Sequence, residues 1–216
     1  LVAAGADVIE VGVPFSDPMA EGPVIQKGHE RALANGMTLR RVLGTVAEFR
    51  QQDAQTPIVM MGYANPIEQF GYEAFADACA EAGVDGLITV DLPPEEVEAV
   101  DAALQAVGLD NIFLISPTTP EHRIKMIVER ARGFIYCVAV KGVTGSGQLD
   151  TAAVCEIVAL IRAKTVLPIA VGFGIRDAES ARAVATTADA VIVGSALIDK
   201  MQQAAAAGNT SQIQVR

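Results

Sequence analysis

The stretch Val8-Ile9-Glu10-Val11-Gly12-Val13, followed by Pro14-Phe15-Ser16-Asp17-Pro18-Met19-Ala20-Glu21-Gly22-Pro23, sets one charged side chain inside a run otherwise fit for complete burial. Its first six residues read as a short strand of the kind buried on both faces of a parallel sheet. Period 2 places Glu10 with Val8 and Gly12, opposite Ile9 and Val11. A carboxylate partly desolvated there has a raised pKa and can give and take protons near neutrality. Structural pairing with a cation is the alternative, although the strand itself holds no Lys or Arg. The loop that follows is longer than a bare connection needs. Glu21, eleven residues after Glu10, is far enough along for the loop to fold back over the strand end, or else it is a plain surface carboxylate.

The same plan recurs along the chain. Val8 to Val13, Ile58 to Tyr63, Gly86 to Val90, Asn111 to Ile115, Phe134 to Val138, Pro168 to Val171 and Ala190 to Val193 are short apolar runs. Stretches of helical periodicity lie between them at Leu39 to Gln52, Tyr72 to Ala82, Pro94 to Ala106, Glu121 to Ala131, Thr151 to Lys164 and Ala178 to Thr186, and the Ala-rich tail Gln202 to Ala207 ends a helix. Three strand entries look alike, Ala4 to Ile9, Ala82 to Leu87 and Thr187 to Ile192, each with an Asp just before the strand as αβ turns require. No linker or low-complexity tract interrupts the series, so residues 1–216 are expected to form a single domain. A βα series of this kind makes either an open doubly wound sheet or a (β/α)8 TIM barrel. The count of seven strands, with about 31 residues per unit, favours the barrel. Leu1 to Asp7 reads as the last turn of a helix, so that the first strand of eight is missing and the barrel is incomplete.

Composition excludes whole classes of function. The 16 basic and 26 acidic side chains leave a net charge of −10, which disfavours nucleic acid and anionic membranes as partners. Cys79, Cys137 and Cys155 offer neither a disulfide framework nor a zinc knuckle, and His29 and His122 are too few for a histidine metal site; no metal is expected. The apolar runs are too short to span a bilayer and no signal peptide is evident, so a cytoplasmic location is expected. Both histidines read as surface or capping residues.

Residues at the carboxyl ends of the strands are the candidates for chemistry: Glu10 with Gly12, Tyr63 with Asn65, Asp91, Ser116, Tyr136, Gly172 with Gly174, and Gly194 with Ser195. An anionic ligand would have to be held by backbone N–H groups and helix N-termini, and glycines follow the last two strands, where barrels commonly bind phosphate. Gly142 to Gly147 lacks the Lys-Ser/Thr of a P-loop, and Gly172-Phe173-Gly174 lacks the third glycine of a dinucleotide fingerprint. No strand interior carries a Lys. Cleavage of a carbon–carbon bond by carboxylates alone requires a departing carbon that accepts charge itself, such as that of a protonated electron-rich heterocycle.

The run from Val8 to Pro23 resembles the signature of the tryptophan synthase alpha subunit family. Met61-Gly-Tyr-Ala-Asn-Pro66, Asp91-Leu-Pro93, Gly142-Val-Thr-Gly145 and Gly172-Phe-Gly-Ile175 resemble that family's later motifs in the same order. The resemblance covers essentially the whole chain. It implies a (β/α)8 barrel lyase that cleaves indole-3-glycerol phosphate to indole and glyceraldehyde 3-phosphate by a retro-aldol reaction, in tryptophan biosynthesis. It implies that Glu10 is the catalytic glutamate and Glu21 the second catalytic carboxylate, a position where the family usually has Asp, with Tyr136 near the reacting centre. Gly145, Phe173, Gly174, Gly194 and Ser195 match the phosphate cradle, and Met61, Tyr63, Ile88 and Ile115 the indole pocket. Asp17, Pro18 and Asn65 fall where the family meets its partner, a beta subunit that carries pyridoxal phosphate, in an alpha2beta2 heterotetramer. The alpha chain itself is implied to need no cofactor. The family's chains extend beyond both ends of this one, by an amino-terminal helix and first strand and by a carboxyl-terminal helix. Two further readings stay open: a sugar-phosphate isomerase or epimerase on the same barrel, and a non-catalytic partner that regulates the beta subunit.

Overall fold

The computed structural model describes residues 1–139, 151–172 and 174–208. The chain divides into two compact units, Leu1–Asn111 and Ile112–Gln214. Seven strands are present among the described residues, each within a residue or two of where hydrophobic patterning puts it.

The first unit opens with a 3-10 turn, Val2–Ala4, closed by Gly5 at φ 95°. Then come β1 (Ile9–Gly12), α1 (Pro23–Ala34), α2 (Leu39–Arg50), β2 (Ile58–Gly62), α3 (Ala64–Phe70), α4 (Tyr72–Ala82), β3 (Gly86–Thr89) and α5 (Glu98–Ala106). β1, β2 and β3 pair in parallel and in chain order, as βα crossovers require. Their register sets Val11, Met60 and Leu87 in one row, and Gly12, Met61 and Ile88 in the next. The sulfur of Met60 lies 3.9 Å from that of Cys79 on α4, so its row is the one covered by helices. The row of Gly12, Met61 and Ile88 therefore faces the other way, together with Glu10 two residues before Gly12. Between the sheet and its helices pack Ile67, Phe75 and Leu104, all buried.

Two helical details depart from the sequence expectation. α5 begins at Glu98 rather than Pro94, because Pro93 to Glu96 closes a turn through the Glu96 amide and the Pro93 carbonyl at 2.9 Å. α3 falls outside the helical stretches that periodicity marks. Pro66 stands in the first helical turn, where its missing N–H has no intrahelical partner to lose.

The second unit holds β4 (Asp110–Ile115), which starts at the boundary, then α6 (Glu121–Arg130), β5 (Ile135–Val138), α7 (Thr151–Arg162), β6 (Ile169–Gly172), α8 (Ala178–Ala185), β7 (Ala190–Ile192) and α9 (Ser195–Ala206). β4 to β7 again pair in parallel and in chain order. Ile124, Ile135, Ile161 and Ile169 form its buried centre. Asp177 caps α8 by accepting the Ser180 amide at 2.8 Å.

The Asp residues before strands do the same work in both units. Asp85, ahead of β3, accepts the amide of Ile58 at 2.7 Å and the guanidinium of Arg50, the last residue of α2, at 2.6 Å. Asp189, ahead of β7, accepts the amide of Ile169 at 2.8 Å and the guanidinium of Arg162, the last residue of α7, at 2.6 Å. Each satisfies the first amide of the neighbouring strand and ties it to a helix end. The bonds from Ile169 and then Arg162 hold the Asp189 carboxyl below its usual range. These ties lie at the amino ends of the strands, the stabilising side, and leave the carboxyl ends to chemistry.

Candidate active site

Glu10 stands in β1, its partner residues across the sheet being Val59 and, beyond it, Gly86. Two residues further along the strand, on the same face, Gly12 presents no side chain, and a Cβ placed there would meet nothing within 4 Å. Open space therefore adjoins Glu10, bordered in the same row by Met61 and Ile88. Glu10 is reached by solvent, yet the surrounding protein raises its pKa to about 7, chiefly by desolvation and then by the charge of Glu21. Together these describe a carboxylate open to solvent on one side and partly desolvated by the protein beside it.

Burial also raises the pKa of Glu21, to a lesser degree than that of Glu10. The charge of Glu21 acts in the same direction as desolvation on Glu10, so the two carboxylates are coupled. The loop that brings Glu21 near is fastened at two points. Phe15 donates its amide to His29 Nδ1 at 2.8 Å, and Ala20 donates its amide to the Tyr63 hydroxyl at 3.1 Å. The Phe15 and Tyr63 rings lie 5.3 Å apart between centroids, and Tyr63 is buried. Gln26 on α1 donates to the Glu21 carbonyl at 2.8 Å. Asp17 is exposed between the two fastenings, beside Met19, which is 79% exposed. Asn65 is exposed in the first turn of α3, whose Ala64 amide is held by Asp91 at 2.7 Å.

In the second unit Tyr136 is buried in β5, in one row with Leu114 of β4 and Ala170 of β6. Gly172 ends β6 against it: a Cβ there would stand 2.5 Å from the Tyr136 hydroxyl and 2.9 Å from its ring. Gly174 takes φ 81°, a conformation that favours glycine. Gly194 and Ser195 open α9, with the Leu197 and Ile198 amides bonded back to the Gly194 carbonyl. The earlier amides of that helix are free of such bonds in an α-helix and suit an anion. Gly145 and Phe173 lie outside the described residues.

A scan against family models matches residues 1–216 to the tryptophan synthase alpha chain. The chain belongs to the tryptophan synthase alpha chain family. The alpha chain of Thioalkalivibrio sulfidiphilus is 60% identical over 203 residues, covering 94% of this chain and 76% of that protein. That of Dechloromonas aromatica is 58% identical over 206 residues, covering 95% and 77%. Among solved structures, tryptophan synthase subunit alpha from Legionella pneumophila has a TM-score of 0.90 at 45% identity, over 99% of this chain and 81% of the other. A chain of the tryptophan synthase complex from Pyrococcus furiosus gives 0.86 at 33% identity, over 99% and 85%. The fold class is accordingly α/β, that of the TIM-barrel alpha subunits. As a tryptophan synthase alpha chain the protein is a carbon–carbon lyase of indole-3-glycerol phosphate, working with a beta subunit; this decides for the lyase over the isomerase. Among the described residues, no helix is long and apolar enough to cross a membrane, and no group of three or more His, Cys, Asp and Glu is placed to hold a metal.

The strand registers sort the remaining pocket candidates. Met61 and Ile88 share the face of Glu10. Ile115 pairs with Cys137, in the row next to that of Tyr136, so its side chain points to the opposite face, where it is fully buried. Leu114, not Ile115, shares a face with Tyr136. Alternation along β4, counted from Tyr136 across the pairing, would have found it, but the register is invisible in the sequence. His29 and Asp91 are the other residues whose work the sequence left unassigned, both as acceptors for a backbone amide beside the site.

Proposed function

We propose that Glu10 is the acid–base group of the lyase reaction. In its protonated form it delivers a proton to indole C3, and as the carboxylate so formed it takes the proton of the glycerol hydroxyl as the carbon–carbon bond breaks. The electron pair of that bond passes into the C3-protonated indole, the hydroxyl carbon becomes the aldehyde of glyceraldehyde 3-phosphate, and indole leaves. The sequence is proton-neutral and needs no cofactor. Glu21, ionised, offsets positive charge at the indole N–H, and its charge adds to desolvation, the larger cause, in raising the pKa of Glu10. One observation carries the reading: a strand carboxylate with a pKa of about 7 beside the open space over Gly12.

The other roles are carried over from the family resemblance. Met61, Ile88 and Tyr63 supply apolar wall for the indole ring, and Leu114 is preferred to Ile115 for the same task. Tyr136 takes the role at the reacting centre that the resemblance gives it. Gly174, Gly194 and Ser195, with Gly145 and Phe173, hold the phosphate through backbone N–H groups and the N-terminus of α9. Asp17, Pro18 and Asn65 meet the beta subunit, the exposure of Asp17 and Asn65 being consistent with a docking face. Assembly as an alpha2beta2 heterotetramer, a cytoplasmic location and one functional domain over 1–216 complete the proposal.

The test is release of indole from indole-3-glycerol phosphate, with and without the beta subunit. Turnover that the beta subunit accelerates is expected. Absence of indole under both conditions contradicts the assignment.

A further inference from the structure

We infer that His29 is a positioning residue for the catalytic loop, fixing Glu21 by holding the backbone at the loop's entrance. The inference rests on the reading of Glu21 as the second carboxylate.

His29 lies on α1, after the loop, and reaches back to take the Phe15 amide on Nδ1 at 2.8 Å. An acceptor Nδ1 requires the neutral imidazole with its proton on Nε2. Burial pushes the His29 pKa down, which keeps the acceptor available. Phe15, so held, sets its ring against Tyr63 at 5.3 Å, and the Tyr63 hydroxyl takes the Ala20 amide at 3.1 Å. Ala20 precedes Glu21. The path from His29 through Phe15, Tyr63 and Ala20 thus ends on the backbone beside the carboxylate, each link a hydrogen bond or ring contact.

The segment that leads from the first fastening to Glu21 is closed on itself. Within it the Met19 amide bonds to the Asp17 carbonyl at 2.8 Å and the Glu21 amide to the Pro18 carbonyl at 3.1 Å, so the turn is internally closed. Ser16, Asp17 and Met19 are exposed. A turn closed in this way sets the place of Glu21 only while its Phe15 end is held. His29 is what stops it slipping, and the cost of a small misplacement at the reacting groups is large.

The test compares His29→Leu with His29→Asn in the full protein bound to its beta subunit, reading kcat and KM for indole release together with the melting temperature. Asn carries an oxygen able to accept the Phe15 amide, whereas Leu fills space without an acceptor. The expected result is a kcat about tenfold lower for His29→Leu, with KM changed less than about twofold, and recovery to within about twofold of the parent in His29→Asn. Parent kcat in His29→Leu overturns the inference. So does an equal loss in both variants that follows their melting temperatures, because that pattern belongs to a merely structural histidine. A parallel Glu21→Gln variant separates the two levels of the argument. If it retains full turnover, the role of Glu21 falls and the inference with it; if it loses turnover while His29→Leu stays fully active, only the inference on His29 falls.

Discussion

Gly172 and Tyr136 occupy one space: a Cβ on the glycine would stand 2.5 Å from the tyrosine hydroxyl and 2.9 Å from two of its ring carbons. Tyr136 is buried, so the ring has little room in which to retreat. Gly172→Ala is therefore expected to displace the phenol, lowering kcat/KM about tenfold or more and destabilising the protein by about 1–3 kcal/mol through overpacking. Steady-state kinetics and thermal melting check this. Parent values for both would mean that the Tyr136 ring yields freely.

The faces of β4 separate two neighbouring residues by function. Leu114→Ala is expected to raise KM for indole-3-glycerol phosphate several-fold, since that side chain shares the row of Tyr136. Ile115→Val is expected to leave KM unchanged and to cost about 0.5–1.5 kcal/mol of stability, the usual price of one buried methylene. The reverse pattern would place Ile115 on the catalytic face.

The raised pKa of Glu10 makes both activity and stability depend on pH in a set direction. The protonated form starts the reaction, so kcat/KM is expected to fall as pH rises above about 7. Burial favours the protonated form in the folded state, so this contribution to stability is complete below the unfolded-state pKa of 4.5 and is lost as pH rises through about 7. Glu10→Gln removes the penalty of the buried charge. The variant is therefore expected to be more stable than the parent at pH 8, by about 1 kcal/mol because water reaches the carboxylate and screens it, with no such advantage below pH 4.5. Denaturation at both pH values decides the sign.

Glu21 departs from the family's usual Asp by one methylene. The loop around it is tied through the backbone amides of Phe15 and Ala20 and the backbone carbonyl of Glu21, none of which depends on the length of the Glu21 side chain. Glu21→Asp is expected to keep kcat within about threefold of the parent, or to raise it. A loss of a hundredfold would show that this loop has settled around the longer side chain.

Much of this was legible in the residues because buried parallel strands are short, apolar and regularly spaced, and because Glu10 breaks one of them. The turn residues before β3 and β7 were legible for the same reason, an Asp being required to receive the first amide of the neighbouring strand. What stayed hidden depends on register and on long-range contact. Ile115 and Leu114 are both apolar and adjacent, and only the pairing with Cys137 and Tyr136 assigns their faces. α3 was hidden by Pro66, which reads as a breaker yet sits where a helix tolerates it. His29 looked like a surface histidine because its partner is a backbone amide fourteen residues earlier, and no side-chain pattern records a backbone donor.

The most direct test of the account is turnover of Glu10→Gln in the complex with the beta subunit. The amide keeps the shape of the side chain and removes the group that gives and takes the proton, so the variant is expected to fold, to bind indole-3-glycerol phosphate with near-parent affinity, and to lose about 10²–10⁴-fold in kcat. A Glu10→Gln protein that releases indole at close to the parent rate would contradict the assignment of Glu10 as the acid–base group.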